Sequence, residues 1–329
     1  MTIKPQKADP ENIRKAADIL RRGGLVAFPT ETVYGLGADA GNADAVKKIF
    51  KAKNRPADHP LIVHIGDPRQ LNDWAQNIPQ IAWDLAAKFW PGPLAMVLSK
   101  HPSVPLTVTG GQQTIALRMP DNPVALNLLK AFDGGIAAPS ANRYNHVSPT
   151  LAEHVASELG DAVDMILDGG ACSVGLESTI IDLSGTQPAL LRPGHITPRQ
   201  LEAVLHTPVK VPQQSKTRAP GMLEIHYAPT TTARLCPAER LAAEIEQLAQ
   251  NKRLGLLTLH PRAENSETIF ARMMPTDADD YAHALYASLR ELDGMKLDLI
   301  LIEQPPDDEG WLAVNDRLRK ATASGALIG

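Results

Sequence analysis

Residues 28–41 read F-P-T-E-T-V-Y-G-L-G-A-D-A-G, and the fold turns on how they are taken. An apolar run, L-V-A-F (25–28), leads in. N-A-D-A-V-K-K-I-F (42–50) leads out, with Val46, Ile49 and Phe50 at helical spacing. Taken as strand, glycine turn and helix, G-L-G-A-D-A fits the dinucleotide pattern G-x-G-x-x-A, with Asp58 roughly where a ribose-binding acid would stand. The fit is incomplete. Dinucleotide glycines follow their strand directly and open the helix, whereas here residues 30–34 intervene and the helix starts near Asn42. No G-x-x-x-x-G-K-[ST] occurs, which excludes a P-loop. An NAD-linked oxidoreductase stays as one competing reading. The other expectation is an anion held by a different arrangement.

Outward from this stretch, strands and helices alternate only in part. Asp9-Pro10 opens a helix as cap and first-turn proline, and Gly23-Gly24 closes it. Strands are expected at 60–65, 94–98, 114–119, 165–168, 178–183 and 189–191, with helices near 78–89, 122–131, 151–159 and 198–205. Several strands succeed one another directly, which suits a twisted mixed α/β sheet better than a purely parallel one. Residues 208–230 are rich in proline and polar residues without amphipathic period and read as an extended connector. From 231 to 329 a fresh alternation begins, read as a smaller Rossmann-like α/β domain behind a first domain at 9–207.

Composition excludes several classes. The 329 residues are 43% hydrophobic and 21% charged, which is ordinary globular chemistry. A net charge of −4 does not suit a sequence-blind nucleic-acid coat. Cys172 and Cys236 lack metal-site or disulfide-framework spacing, so a reducing compartment and no protein-held metal are expected. No apolar leader or long apolar stretch is present, and a cytoplasmic protein without membrane contact is expected.

The informative residues are polar ones planted in apolar strands. Alternation puts His64 on one face of P-L-I-V-H-I with Ile62, and Arg118 on one face of T-I-A-L-R-M-P with Thr114 and Ala116. A lone strand histidine is more often a satisfied core residue. A strand arginine is harder to dismiss, because a guanidinium must find an anion, whether a structural carboxylate or a ligand. Lys53, Arg55 and Arg192 also sit at element ends. Singly each is an ordinary surface charge; together, beside A-A-P-S-A-N (137–142) and G-L-E-S-T-I (175–180), they point to a polyanion such as a nucleoside triphosphate.

F-P-T-E-T-V-Y-G-L-G, K-N-R-P-A-D-H-P-L-I-V-H, F-W-P-G-P-L, T-I-A-L-R-M-P, A-P-S-A-N, G-L-E-S-T-I-I-D and L-R-P-G-H-I occur in one order. This set resembles the YrdC-type threonylcarbamoyl-adenylate synthases, and R-A-P-G-M-L-E-I-H-Y-A-P (218–229) resembles the linker of their long, two-domain form. The resemblance covers about residues 10–230. It implies a YrdC-like catalytic domain that turns L-threonine, bicarbonate or CO2, and ATP with Mg2+ into threonylcarbamoyl-AMP and pyrophosphate. A separate threonylcarbamoyl transferase complex would then modify tRNA. It further implies threonine contacts at Thr32, His64, Arg118, Ala138 (backbone) and Ser178. ATP contacts are implied at Arg55, Thr114, Ser140, Ser148, Arg192 and Tyr227, with His59 at a position where the family usually has another residue. Lys53, Arg55 and His64 become the candidates for the chemistry. Asn54 stands where the family commonly has glycine. Residues 212–229 are expected to fold back as a lid. A double-stranded RNA or tRNA-binding module is the alternative from another class, and direct RNA contact stays open beside the enzyme reading.

Overall fold

The structure is a computed structural model that describes residues 3–212, 215, 217–223, 226–261 and 265–323. The chain divides into two compact units: the first comprises residues up to 144 and 149–222, the second 145–148 and 223 onward.

Ten strands form the sheet of the first unit: β1 (Gln6–Lys7), β2 (Val26–Phe28), β3 (Gly35–Asp39), β4 (Ile62–His64), β5 (Leu94–Ser99), β6 (Thr114–Arg118), β7 (Ile136–Ala137), β8 (Met165–Asp168), β9 (Thr179–Asp182) and β10 (Ala189–Arg192). Their order is β1-β8-β2-β3-β7-β4-β6-β5-β9-β10. Pairing is mixed. β4 runs parallel to β6 and β5 to β9, whereas β2–β3, β3–β7, β4–β7, β5–β6 and β9–β10 are antiparallel.

One expectation needs correction. Gly35 and Gly37 lie inside a strand, β3, and not in a phosphate-binding turn. β3 pairs with β2 through Val26↔Gly37 and Phe28↔Gly35. A Cβ on Gly37 would come within 2.8 Å of the Phe28 ring and 2.9 Å of Ile136 Cγ2. The glycines are therefore there because Phe28 lies across them, and G-x-G carries no dinucleotide geometry. The turn between the strands is built by Thr30. Its hydroxyl accepts from the Thr32 and Val33 N–H groups, both at 3.2 Å, and donates to the Val33 carbonyl at 2.7 Å.

Helices cover the sheet as their periodicity dictates. The helix Pro10–Arg21 is capped by Asp9, whose side chain accepts from Asn12 N, and buries Ile13, Ala16, Ala17 and Leu20. Together with the helix Pro123–Phe132 it packs on Val26, Phe28, Ile136 and Met165. The helix Ala43–Lys53 is capped by Asn42 and ends at Asn54, which takes a left-handed φ of 53°. Glycine suits that position, and asparagine is among the residues that tolerate it best. Farther along the sheet, on the face that register shares with Phe28 and Ile136, lies a second cluster of Ile62, Ala95, Val97, Ala116, Ile180 and Leu191, with Ala219 of the connector seated on it.

The second unit has a four-stranded parallel sheet: β11 (Ala233–Cys236), β12 (Leu254–Thr258), β13 (Ile269–Met273) and β14 (Leu299–Glu303), in the order β11-β14-β12-β13. The helices Ala238–Leu248, Ala278–Asp293 and Leu312–Thr322 accompany it. Leu241 and Ile245 pack on Leu254, Leu256, Leu299 and Leu301. This is the Rossmann-like arrangement expected from the alternation of the elements.

Candidate active site

Register assembles the site. His64 ends β4 directly opposite Arg118, which ends the parallel β6. Paired residues of neighbouring strands point to the same face, and this is the face of Ile62 and Ala116. Thr114 starts β6 on that face. Antiparallel β5 and its parallel neighbour β9 then bring the start of β9, and Ser178 just before it, to the end of the sheet where Arg118 lies.

Arg118 is 3% exposed. Its Nη1 donates to Thr32 Oγ1 at 2.9 Å and its Nε to the Gly92 carbonyl at 3.3 Å. Its Nη2 lies 2.6 Å from Oε1 of Glu31, whose side chain is equally buried. The expectation that this guanidinium needs an anion is met inside the protein by a residue that motif reading passed over. Glu31 stands in the middle of the opening stretch. The available signal was a carboxylate between two threonines in a segment otherwise free of charge.

His64 is 3% exposed, packs edge-on to the Phe28 ring at 6.2 Å, and leaves its Nδ1 without a hydrogen bond. Burial, and then the Arg118 charge, push its pKa down to about 3. At neutral pH it is an uncharged imidazole, able to accept a hydrogen bond and poorly matched to taking a proton from an ammonium group.

Arg192 closes the other side. Its Nε donates to the Ser178 carbonyl at 3.0 Å, its Nη2 to the Ser178 hydroxyl at 3.1 Å, and its Nη1 to the Pro220 carbonyl at 3.1 Å. The last contact ties the connector to the sheet. Gln112 and Arg218 tie it further: Arg218 N donates to Gln112 Oε1 at 2.8 Å and Gln112 Nε2 to the Arg218 carbonyl at 3.0 Å. Residues 217–222 thus lie on the face that carries His64 and Arg118. Of the expected lid, positions 213, 214, 216, 224 and 225 fall outside the described residues.

A second group gathers around the end of the helix Ala43–Lys53. Lys53 is 1% exposed and donates to the carbonyls of Ser140 and Asn142, the former at 2.5 Å. Two of its three N–H donors are thereby spent on the loop 138–142. Arg55 donates to the Pro60 carbonyl at 3.2 Å and places its guanidinium 5.7 Å from the centre of the Tyr144 ring. His59 reaches the Tyr144 hydroxyl at 3.3 Å. Burial, then the Arg55 charge, lower its pKa. Ser140 bridges to Gly35, and Ala138 gives its N–H to the Ile62 carbonyl at 3.0 Å. A ligand contact from the Ala138 backbone therefore falls to its carbonyl. β4 and the loop 138–142 join the two groups.

Ser148 and Tyr227 belong to the second unit. There Ala228 N donates to the Asn145 carbonyl at 2.8 Å, and Arg290 donates to the carbonyls of Val147 and Ser148. Tyr227 lies under the Arg317 guanidinium, 5.1 Å from ring centre to Cζ, and beside Tyr286. Among the described residues no group of three or more His, Cys, Asp or Glu could hold a metal ion, and no helix is long and apolar enough to cross a membrane.

The family model described as "Telomere recombination", that of Sua5, YciO and YrdC, matches residues 18–194. The chain belongs to the Sua5/YciO/YrdC family. A second model, described as "Threonylcarbamoyl-AMP synthase, C-terminal domain", matches residues 196–323 and places the chain with the long members of that family. The threonylcarbamoyl-AMP synthase of Bacillus subtilis (strain 168) is 44% identical over 331 residues, covering 97% of this chain and 95% of that protein. The synthase of Pyrococcus abyssi (strain GE5 / Orsay) is 41% identical over 329 residues, covering 96% of each. The crystal structure of P. abyssi Sua5 complexed with L-threonine has a TM-score of 0.88 at 40% identity, covering 96% of this chain and 95% of that one.

Proposed function

We propose that this protein condenses L-threonine, bicarbonate or CO2, and ATP into threonylcarbamoyl-AMP and pyrophosphate, the step that supplies a threonylcarbamoyl transferase complex acting on tRNA in the cytoplasm. The observation that carries the reading is the guanidinium of Arg118, buried at the end of β6 with Thr32 and neutral His64 beside it. A planar donor held on two arms, with Nη2 making no hydrogen bond, suits the grip of an amino-acid carboxylate. The threonine-bound P. abyssi relative supports the choice of amino acid.

In this reading the threonine ammonium group first releases a proton to solvent, the free amine attacks CO2, and the adduct releases a second proton to solvent, giving a carbamate. A carbamate oxygen then attacks the α-phosphorus of ATP in line, the bond from that phosphorus to the bridging oxygen breaks, and pyrophosphate leaves. Arg55 and Arg192 offset charge on the phosphates, while Lys53 holds the loop 138–142 that presents Ser140. Mg2+ enters as part of the MgATP substrate, since magnesium is commonly held by substrate phosphates rather than by a protein cage. Burial of Lys53, Arg55, Arg118 and Arg192 suits a small polyanion inside the fold better than an RNA backbone laid along a surface.

The test is mass detection of threonylcarbamoyl-AMP from the purified chain supplied with threonine, bicarbonate and MgATP. Product dependent on all three is expected. Absence of product under conditions where the protein is folded and binds ATP would overturn the reading.

A further inference from the structure

Glu31 is a charged side chain for which the reaction as written above has no use. It is 4% exposed, and neither of its carboxylate oxygens accepts a hydrogen bond. Oε1 approaches Arg118 Nη2 at 2.6 Å without the alignment of a hydrogen bond, and Nη2 itself donates none. Buried carboxylates are normally paired and hydrogen-bonded, because the interior offers no water to replace lost solvation. Here two acceptor oxygens and one guanidinium arm face each other half-satisfied. The other arms of Arg118 are fixed on Thr32 and Gly92.

We infer that Glu31 is the receptor for the α-ammonium group of the amino-acid substrate, and that the Glu31–Arg118 pair is a preformed cradle for a zwitterion. This rests on the reading of Arg118 as the carboxylate grip. A ligand carboxylate arriving at Nη2 competes with Glu31 for it. A buried carboxylate stripped of its cation is strongly disfavoured. An amino acid resolves this at once, since it carries a cation on the carbon next to its carboxylate. Its ammonium meets the unbonded oxygens of Glu31 while its carboxylate meets Nη2. The four charges alternate in sign, and the net charge of the site does not change. A ligand with the carboxylate alone leaves Glu31 exposed to the other anion. The cradle therefore selects an α-amino acid against the corresponding α-hydroxy acid, a discrimination set by charge and not by size.

The experiment is calorimetric titration of the full chain, wild type and Glu31→Gln, with L-threonine and with 2,3-dihydroxybutanoate, in which a hydroxyl replaces the amine. Wild type is expected to prefer threonine by about 100-fold or more, as for a lost buried charge partner. Glu31→Gln is expected to lose most of that preference, by weaker threonine binding with dihydroxybutanoate unchanged or tighter. Equal weakening of both ligands, or an undiminished preference in the variant, overturns the assignment. Should Glu31→Gln fail to fold, Glu31→Asp withdraws the charge by one methylene and must still narrow the preference. An unchanged ratio there overturns it too. Wild type that makes threonylcarbamoyl-AMP while binding both acids alike refutes the role of Glu31 alone; wild type that binds neither acid refutes the functional reading as well.

Discussion

Arg192 holds Ser178 at two points, its Nε on the carbonyl at 3.0 Å and its Nη2 on the hydroxyl at 3.1 Å. The fork locks the turn before β9 to the end of β10, and its third arm holds the Pro220 carbonyl of the connector at 3.1 Å. Lysine keeps the charge but cannot make three divergent, coplanar contacts. Arg192→Lys is expected to lower kcat/KM for pyrophosphate release about 10- to 100-fold, the scale of one or two hydrogen bonds from a charged group. Steady-state kinetics with threonine and MgATP each varied would check it. Wild-type values would show that charge alone suffices.

Lys53 acts through the loop it holds. Its ammonium satisfies the half-buried carbonyl of Ser140 and the buried one of Asn142, so Lys53→Met removes the donor from both. A loss of about 1–3 kcal/mol of stability is expected, together with weaker ATP binding. Urea unfolding beside nucleotide titration separates the two effects. A variant with full stability but no ATP affinity would mean that the ammonium contacts the nucleotide directly.

His64 makes the first unit acid-sensitive in a definite window. Its folded pKa is about 3 against an ordinary 6.5, so between those values the unfolded chain binds the proton that the folded chain refuses. Stability contributed by the neutral imidazole is present above about pH 6.5 and drains as pH falls toward 3, at up to about 1.4 kcal/mol per pH unit. His64→Gln should lose stability less steeply over that range, by about one proton in the slope. Parallel slopes would place a solvated, titrating imidazole at this position.

The glycine of β3 is a packing requirement. Gly37→Ala sets a methyl group 2.8 Å from the Phe28 ring, 2.9 Å from Ile136 and 3.1 Å from the Val26 carbonyl. Overpacking of this kind costs about 1–3 kcal/mol. A fall in the melting temperature is expected, and it should shrink when Phe28→Leu is added, since the two changes share one space. An unchanged melting temperature in the single variant would show that β2 and β3 can part without cost.

Most elements were legible because their periods are clean. The strand Met165–Asp168 and the helix Pro198–Leu205 have the bounds read from pattern. β3 was not legible, since two glycines in five residues look like a turn until Phe28 is seen lying over them. Alternation put His64 with Ile62 and Arg118 with Thr114 and Ala116, but the pairing of β4 with β6 that sets His64 opposite Arg118 is visible only in the fold. What pattern could not supply was the partner. Arg118 called for an anion, and only the folded chain shows that Glu31, 87 positions earlier, is that anion before any ligand binds. Lys53 was likewise legible as a cation near a loop, but its pairing with main-chain oxygens depends on the path of residues 138–142.

The most direct measurement is the threonine KM for pyrophosphate release by Arg118→Lys, taken beside its ATP KM. The guanidinium is expected to grip the amino-acid carboxylate through Nη2 while its other arms stay on Thr32 and Gly92, a planar division of contacts that an ammonium cannot reproduce. The threonine KM should rise about 10-fold or more, while the ATP KM stays within about two-fold. A threonine KM equal to that of the wild type, in a variant that folds and turns over, would contradict the placing of threonine at Arg118.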